Sequence, residues 1–190
     1  MILLRQLRSS SLLPKRIISL NQSRSFFGGS QPQEYTIRKK INQPSDIFFK
    51  VVSGVDQYHK FVPYCTESFV TRYDQSDLPA EGGLKVGFKE FNEKFVCRIK
   101  CENNQDEPKL VEAESLSDNL FDHLKMKWYI EEDPKRPSAT KMILHLNYKF
   151  SNPLYNTVSA LFAENITKIM IKAFTKRAIE IKTEQQKQKQ

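Results

Sequence analysis

Apolar and polar side chains alternate through most of residues 84–150, the period-two signature of strands that bury one face. Leu84, Val86 and Phe88 alternate with Lys85, Gly87 and Lys89, and Phe95, Cys97, Ile99 and Cys101 with Lys94, Arg98, Lys100 and Glu102. Leu124, Met126, Trp128 and Ile130 alternate with Lys125, Lys127, Tyr129 and Glu131. Met142, Leu144, Leu146, Tyr148 and Phe150 alternate with Lys141, Ile143, His145, Asn147 and Lys149. These runs predict strands over 84–91, 95–102, 122–132 and 140–150, with further strands over 64–74 and 109–116. An earlier alternation, Tyr35, Ile37 and Ile41 against Arg38 and Lys40, predicts a first strand over 34–42.

Pro44-Ser45-Asp46 opens a helical stretch at 47–52, and a second short helix follows near 56–61. Gly82-Gly83, Asn103-Asn104 and residues 133–137 supply turn chemistry, so successive strands are expected to pair in an antiparallel meander. A sheet with one apolar face must cover it. The cover is predicted after Asn152-Pro153, a good N-cap and first helical residue. From there Leu154, Val158, Leu161, Phe162, Ile166, Ile169, Met170, Ala173 and Phe174 recur at three- and four-residue spacing. No breaker intervenes before a polar tail at 183–190, which predicts a helix of about 28 residues, roughly 42 Å long. The expected class is α+β: a curved antiparallel sheet of about seven strands around a long C-terminal helix, with two short helices after strand one. The domain is expected to span 34–182.

The segment ahead of this domain changes the picture. Residues 1–33 hold Arg5, Arg8, Lys15, Arg16 and Arg24 and no carboxylate, so five of the chain's eight net positive charges sit there. Its apolar groups are short and separated by basic residues, which excludes the unbroken core of a secretory signal. An Arg-rich, Ser-rich, acid-free leader predicts a mitochondrial presequence over 1–33, cleaved near Arg24-Ser25-Phe26-Phe27. No apolar run is long enough to predict a membrane-spanning helix. Cys65, Cys97 and Cys101 fit no disulfide framework, since Cys97 and Cys101 on one strand face would lie roughly 13 Å apart.

Candidate chemistry is sparse. No phosphate-binding glycine loop, dinucleotide fingerprint or zinc-protease motif occurs. His59, His123 and His145 are scattered, and Glu112 and Glu114 share a strand face that reads as an exposed charged surface. No catalytic group, metal or catalytic cofactor is expected. The concave face would be lined by Val86, Phe88, Phe95, Ile99, Trp128, Leu146 and Phe150 and roofed by Phe162, Ile166 and Met170, an apolar enclosure suited to a lipid.

The order of elements resembles the helix-grip fold of the START and polyketide-cyclase superfamily. Within it, Phe61-Val62-Pro63-Tyr64-Cys65-Thr66-Glu67-Ser68 and Leu84-Lys85-Val86-Gly87-Phe88 are similar to segments of the mitochondrial coenzyme Q-binding proteins. So are Leu120-Phe121, the Trp128 region and Phe150-Ser151-Asn152-Pro153-Leu154-Tyr155. Tyr64 is a departure, because that family often carries tryptophan there.

The resemblance implies a non-enzymatic protein that binds ubiquinone or a related polyprenyl lipid as chaperone or carrier. It would sit peripherally on the matrix side of the mitochondrial inner membrane, supporting respiration and quinone synthesis alongside their complexes. Phe61, Val62, Pro63, Tyr64 and Leu154 are expected at the membrane-facing portal. A cyclase- or aromatase-like enzyme and a mitochondrial ribosome-associated factor stay open as alternatives, although nucleic acid is not an expected partner at the modest charge of residues 34–190. The leader makes one test immediate: protein isolated from mitochondria should begin between about residues 25 and 35 on N-terminal sequencing, and an intact Met1 would refute the targeting expectation.

Overall fold

The first strand is completed by the last. In a computed structural model, β1 (Gln33–Ile41) pairs antiparallel with β7 (Arg136–Phe150), Gln33 opposite Tyr148 and Ile41 opposite Thr140. Between them run β2 (Cys65–Tyr73), β3 (Pro79–Phe88), β4 (Phe91–Glu102), β5 (Lys109–Ser115) and β6 (Phe121–Asp133). The sheet order is β1-β7-β6-β5-β4-β3-β2, with every recorded pairing antiparallel, as the meander requires. The structure describes residues 31–88, 91–104, 108–117 and 119–188, apart from the side chains of Phe88, Phe91, Leu154 and residues 156–166. The expected leader therefore lies almost wholly outside the described residues.

Helix α1 (Ser45–Ser53) follows β1, and a 3-10 helix (Val55–Lys60) follows α1, close to the expected positions. Phe48, Phe49, Val51 and Val52 of α1 are buried, and Asp46 in its first turn suits the positive end of the helix dipole. The Tyr58 hydroxyl donates to the carbonyl of Val52, tying the 3-10 helix back onto α1. Burial pushes that phenol far above its ordinary pKa.

Three expectations need correction. Gly82-Gly83 is not a turn; both glycines sit inside β3. The chain reverses earlier, where the Asp74 carboxylate accepts from the backbone N–H groups of Ser76 and Leu78 and Asp77 takes a φ of 60°. The glycines serve close approach instead. A Cβ on Gly83 would lie 2.2 Å from the Phe95 carbonyl oxygen and one on Gly82 would lie 2.5 Å from that of Phe69. Second, β4 begins at Phe91, which pairs with Phe88, so the hairpin lies four residues ahead of the expected Phe95 start.

Third, α2 (Pro153–Lys187) runs 35 residues and takes in most of the expected polar tail. Glu184, Gln185, Gln186 and Lys187 are good helix formers without apolar periodicity. Arg177 holds Glu184 at 3.3 Å and the Thr183 hydroxyl donates to the Ile179 carbonyl. The buried face of its second half is Ile171, Phe174 and Ala178, whereas Ile169, two positions from Ile171 and so on the far side, is exposed with Ile179.

Phe174 fixes that half of α2. Its ring centroid lies 5.2 Å from Trp128 on β6, 5.1 Å from Tyr58 and 5.2 Å from Phe61, and Phe48 of α1 meets Trp128 edge-on at 6.2 Å. For the β3 glycines the expected outcome is sharp: Gly83→Ala should lower unfolding stability by about 2 kcal/mol or more in denaturant titration, because its methyl meets rigid backbone.

Candidate functional site

Cross-strand register arranges the concave face in rows, and burial changes from one row to the next. In one row Cys101, Val111, Trp128 and Leu144 stand side by side on β4, β5, β6 and β7, all buried. Two residues along each strand, Ala113, Met126 and Leu146 are only half-buried beside a buried Ile99. The half-burial continues toward the end where β7 hands over to α2, through Leu84, Val86, Leu124, Phe121 and Phe150, with Met170 from α2. Among the described side chains, the apolar face is therefore buried throughout at the α1 end and a mixture of buried and half-buried toward the other.

An aromatic ladder finishes the looser end. Phe121 contacts Phe95 at 5.2 Å and stacks on Phe150 at 4.7 Å, while Tyr155 in the first turn of α2 meets Phe150 edge-on at 5.8 Å. Tyr148 stacks with Tyr35 at 6.0 Å, and the hydroxyls of both donate to Gln33 Oε1.

The expected lining residues divide accordingly. Phe95, Ile99 and Trp128 are buried wall, whereas Val86, Leu146, Phe150 and Met170 are half-buried. The side chains of Phe88, Phe162 and Ile166 lie outside the described ones, as does that of the expected portal residue Leu154. Met126, Leu124 and Leu84 share the lining and were legible from alternation. Phe121 was hidden by the irregularity between Phe121 and His123, and Tyr155 by a contact that only packing creates.

The expected portal loop is only partly a surface. Val62 is buried and Phe61 packs edge-on against Tyr58 and Phe174, because two large apolar groups find cover beside α2. Pro63 is half-buried, and Tyr64 is 47% exposed with a φ of 66°. A left-handed bulky residue is a strained choice. The Tyr64 carbonyl accepts from Gly87 N–H at 2.8 Å, holding this residue beside Val86 at the loosely packed end. A separate pocket of about 430 Å³ lies toward the other end of α2, between Phe61, Leu78, Pro79, Lys50, Arg177 and Ile181.

The convex face carries the charge in pairs. Lys125 and Lys127 both bind Glu112, at 3.1 and 3.0 Å; burial pushes this carboxyl up, but Lys127 and Lys125 together hold it below the usual range. Lys85 meets Glu67, Lys149 meets Asp122 and Lys40 meets Asp133. His145 Nδ1 lies 2.9 Å from Thr36 Oγ1 and His59 Nδ1 lies 2.8 Å from Ser68 Oγ, each engaged by a hydroxyl.

Comparison with known proteins agrees with this geometry. Residues 41–175 match the family described as polyketide cyclase / dehydrase and lipid transport. The mitochondrial coenzyme Q-binding protein COQ10 of Eremothecium gossypii is 37% identical over 182 residues, covering 91% of this chain and 89% of that protein. Its Saccharomyces cerevisiae counterpart is 42% identical over 162 residues, covering 82% and 78%. The chain belongs to the COQ10 family. A START superfamily protein of Mycobacterium smegmatis superposes with a TM-score of 0.65 at 13% identity, covering 80% of this chain and 99% of that one, which gives the helix-grip fold.

The stretch common to the wider family starts at the last residue of β1 and ends just after Phe174, so it spans both the closed and the loosely packed rows. Its interior thiols are inert by environment. Burial pushes both Cys97 and Cys101 up from about 9 to about 12. The folded state thus keeps protons that the unfolded chain releases, so their contribution is complete below about pH 9 and is lost as pH climbs toward 12. Cys97 and Cys101 should resist alkylation at pH 8 until denaturant is added, as mass spectrometry of the labelled protein would read.

Proposed function

We propose that this chain is a non-enzymatic binder of coenzyme Q, or of a closely related polyprenyl quinone, held between the sheet and α2. The observation that carries this is the half-buried apolar face running from Met126 and Leu146 to Phe150, within a chain of the COQ10 family. An isoprenoid tail gains about 0.8 kcal/mol for each CH₂ it buries, and this face offers apolar walls over several rows. His145 and the Glu112 carboxylate are engaged on the outer side of the sheet, and His59 is engaged by Ser68, which supports binding over acid–base chemistry.

The site of action in this reading is the matrix side of the mitochondrial inner membrane, where the protein attaches peripherally and serves respiration and quinone synthesis as carrier or chaperone. Among the described residues no helix is long and apolar enough to cross a membrane. Charge supports a surface contact. Residues 34–152 carry 18 basic and 19 acidic side chains, whereas 153–190 carry seven and three. On α2 the exposed face combines Lys168, Lys172 and Lys176 with Ile169 and Ile179, cations and aliphatic tips of the kind that anionic headgroups attract. The ion-paired lysines of the convex sheet support a solvated surface there rather than an RNA patch.

Organic extraction of the purified protein followed by mass spectrometry should recover a quinone; an empty extract, with no binding of added quinone, would refute the reading. A lysine at Val86 would find Glu93 directly across β4, so the informative substitution lies deeper. Met126→Lys places an ammonium between Ala113 and Leu146 with no carboxylate opposite. It should abolish quinone recovery in protein that remains folded by circular dichroism. The unmodified protein should also sediment with anionic vesicles and be released by salt.

A further inference from the structure

One edge of the sheet is open. β1 stands first in the strand order and β7 is its hydrogen-bonded neighbour, so the backbone groups on its other side face outward. Among the described residues no turn, cap or helix backbone reaches the main chain of 34–41. The opposite edge differs. There β2 packs along the 3-10 helix, and the Ser68 hydroxyl donates to the Asp56 carbonyl and accepts from the His59 N–H. β1 also lacks devices that turn other strands away: its nine residues hold no proline and pair with β7 one for one, without a bulge. Its guard is charge, in the exposed Arg38, Lys39 and Lys40.

That charge is placed so that the strand complements itself. Turned end for end about Ile37, the sequence sets Glu34 opposite Lys40, Tyr35 opposite Lys39, Thr36 opposite Arg38 and Gln33 opposite Ile41. Opposed residues of an antiparallel pair share a face, and opposite charges there are favourable. Asn147 Nδ2 donates to Glu34 Oε1 at 2.7 Å and Lys40 meets Asp133, which holds both exposed side chains at the convex surface. Each keeps capacity for a second partner, since a carboxylate has two oxygens and an ammonium three N–H groups. Centring the pairing on Arg38 sets two guanidinium groups against each other, and centring it before Ile37 shortens the overlap.

We infer that two copies of this chain join through β1, antiparallel about a two-fold axis at Ile37, into one continuous sheet of twice seven strands. The contact is isologous, so it closes on itself and grows no further. An edge contact of this length is small among stable interfaces, which places the dissociation constant in the micromolar range. The axis stands perpendicular to the joined sheet, so both copies carry α2 on the same side. The exposed Lys168, Lys172 and Lys176 of each then face one surface, and a membrane that attracts one copy favours the pair. The dimer itself does not depend on the quinone reading.

Sedimentation of the purified chain should show a monomer at about 1 µM passing to a dimer at about 200 µM. Glu34→Lys sets lysine against Lys40 at both ends of the pairing, and should raise the dissociation constant about tenfold with circular dichroism unchanged. Introduced cysteines read the register. Opposed Cα atoms of an antiparallel pair lie about 4.5 or 5.5 Å apart, and a disulfide spans either. Under copper–phenanthroline, Ile37→Cys should form a covalent dimer about tenfold faster than Tyr35→Cys or Lys39→Cys, whose own counterparts lie roughly 13 Å away. Cys65, Cys97 and Cys101 are buried and supply the unreactive background. Should Ile37→Cys fail to fold, sedimentation of the unmodified chain and of Glu34→Lys decides alone. A chain that is monomeric throughout overturns the inference. So does a dimer that Glu34→Lys leaves unchanged, or one that cross-links fastest away from residue 37.

Discussion

The contact between Phe174 and Trp128 is the hinge of the architecture. It fastens the second half of α2 to the middle of the sheet, and α1 and the 3-10 helix add Phe48, Tyr58 and Phe61 around it. A phenylalanine in such a setting contributes about 3–5 kcal/mol, a large share of a small domain's stability. Because packing is completed there, the remaining rows need not be filled to capacity. One part of the interior carries the stability, and the other is the part proposed to take a guest.

The sheet's two faces solve different problems. On the convex side lysines alternate with carboxylates across strands, so a strongly charged surface is close to neutral. Exposed pairs of this kind add little stability individually. On the concave side the two central rows carry no charge, with cysteine, valine, isoleucine, alanine, methionine, tryptophan and leucine filling the register. The coiling that brings the strands around α2 depends on positions such as Gly83, where backbone approaches backbone too closely for any side chain.

Much of this was legible in the chain itself. Period-two alternation marked Met126, Trp128, Leu144 and Leu146 as facing one way, and the uninterrupted spacing after Pro153 marked the covering helix. The glycine pair misled because the same residue serves turns and close approach, and only the strand opposite distinguishes them. Ile169 misled because its spacing suits either of two helix faces until Phe174 fixes the rotation. The difference between the closed and the loose rows lay beyond reach. Trp128 and Met126 are equal in pattern, and only contacts with α1 and α2, distant in sequence, make one of them buried and the other half-buried.

The pairing of β1 with β7 sets an order of events for the newborn chain. Gln33 meets Tyr148 more than one hundred residues later, so a chain emerging from its amino end exposes β1 long before its partner exists. Until then the strand offers unpaired backbone and the side chains of Ile37 and Ile41 to whatever is near. Closure of so long a loop makes the last strand a late and slow addition. A domain proposed to enclose a greasy molecule is thus itself, during its own making, a greasy edge in want of company.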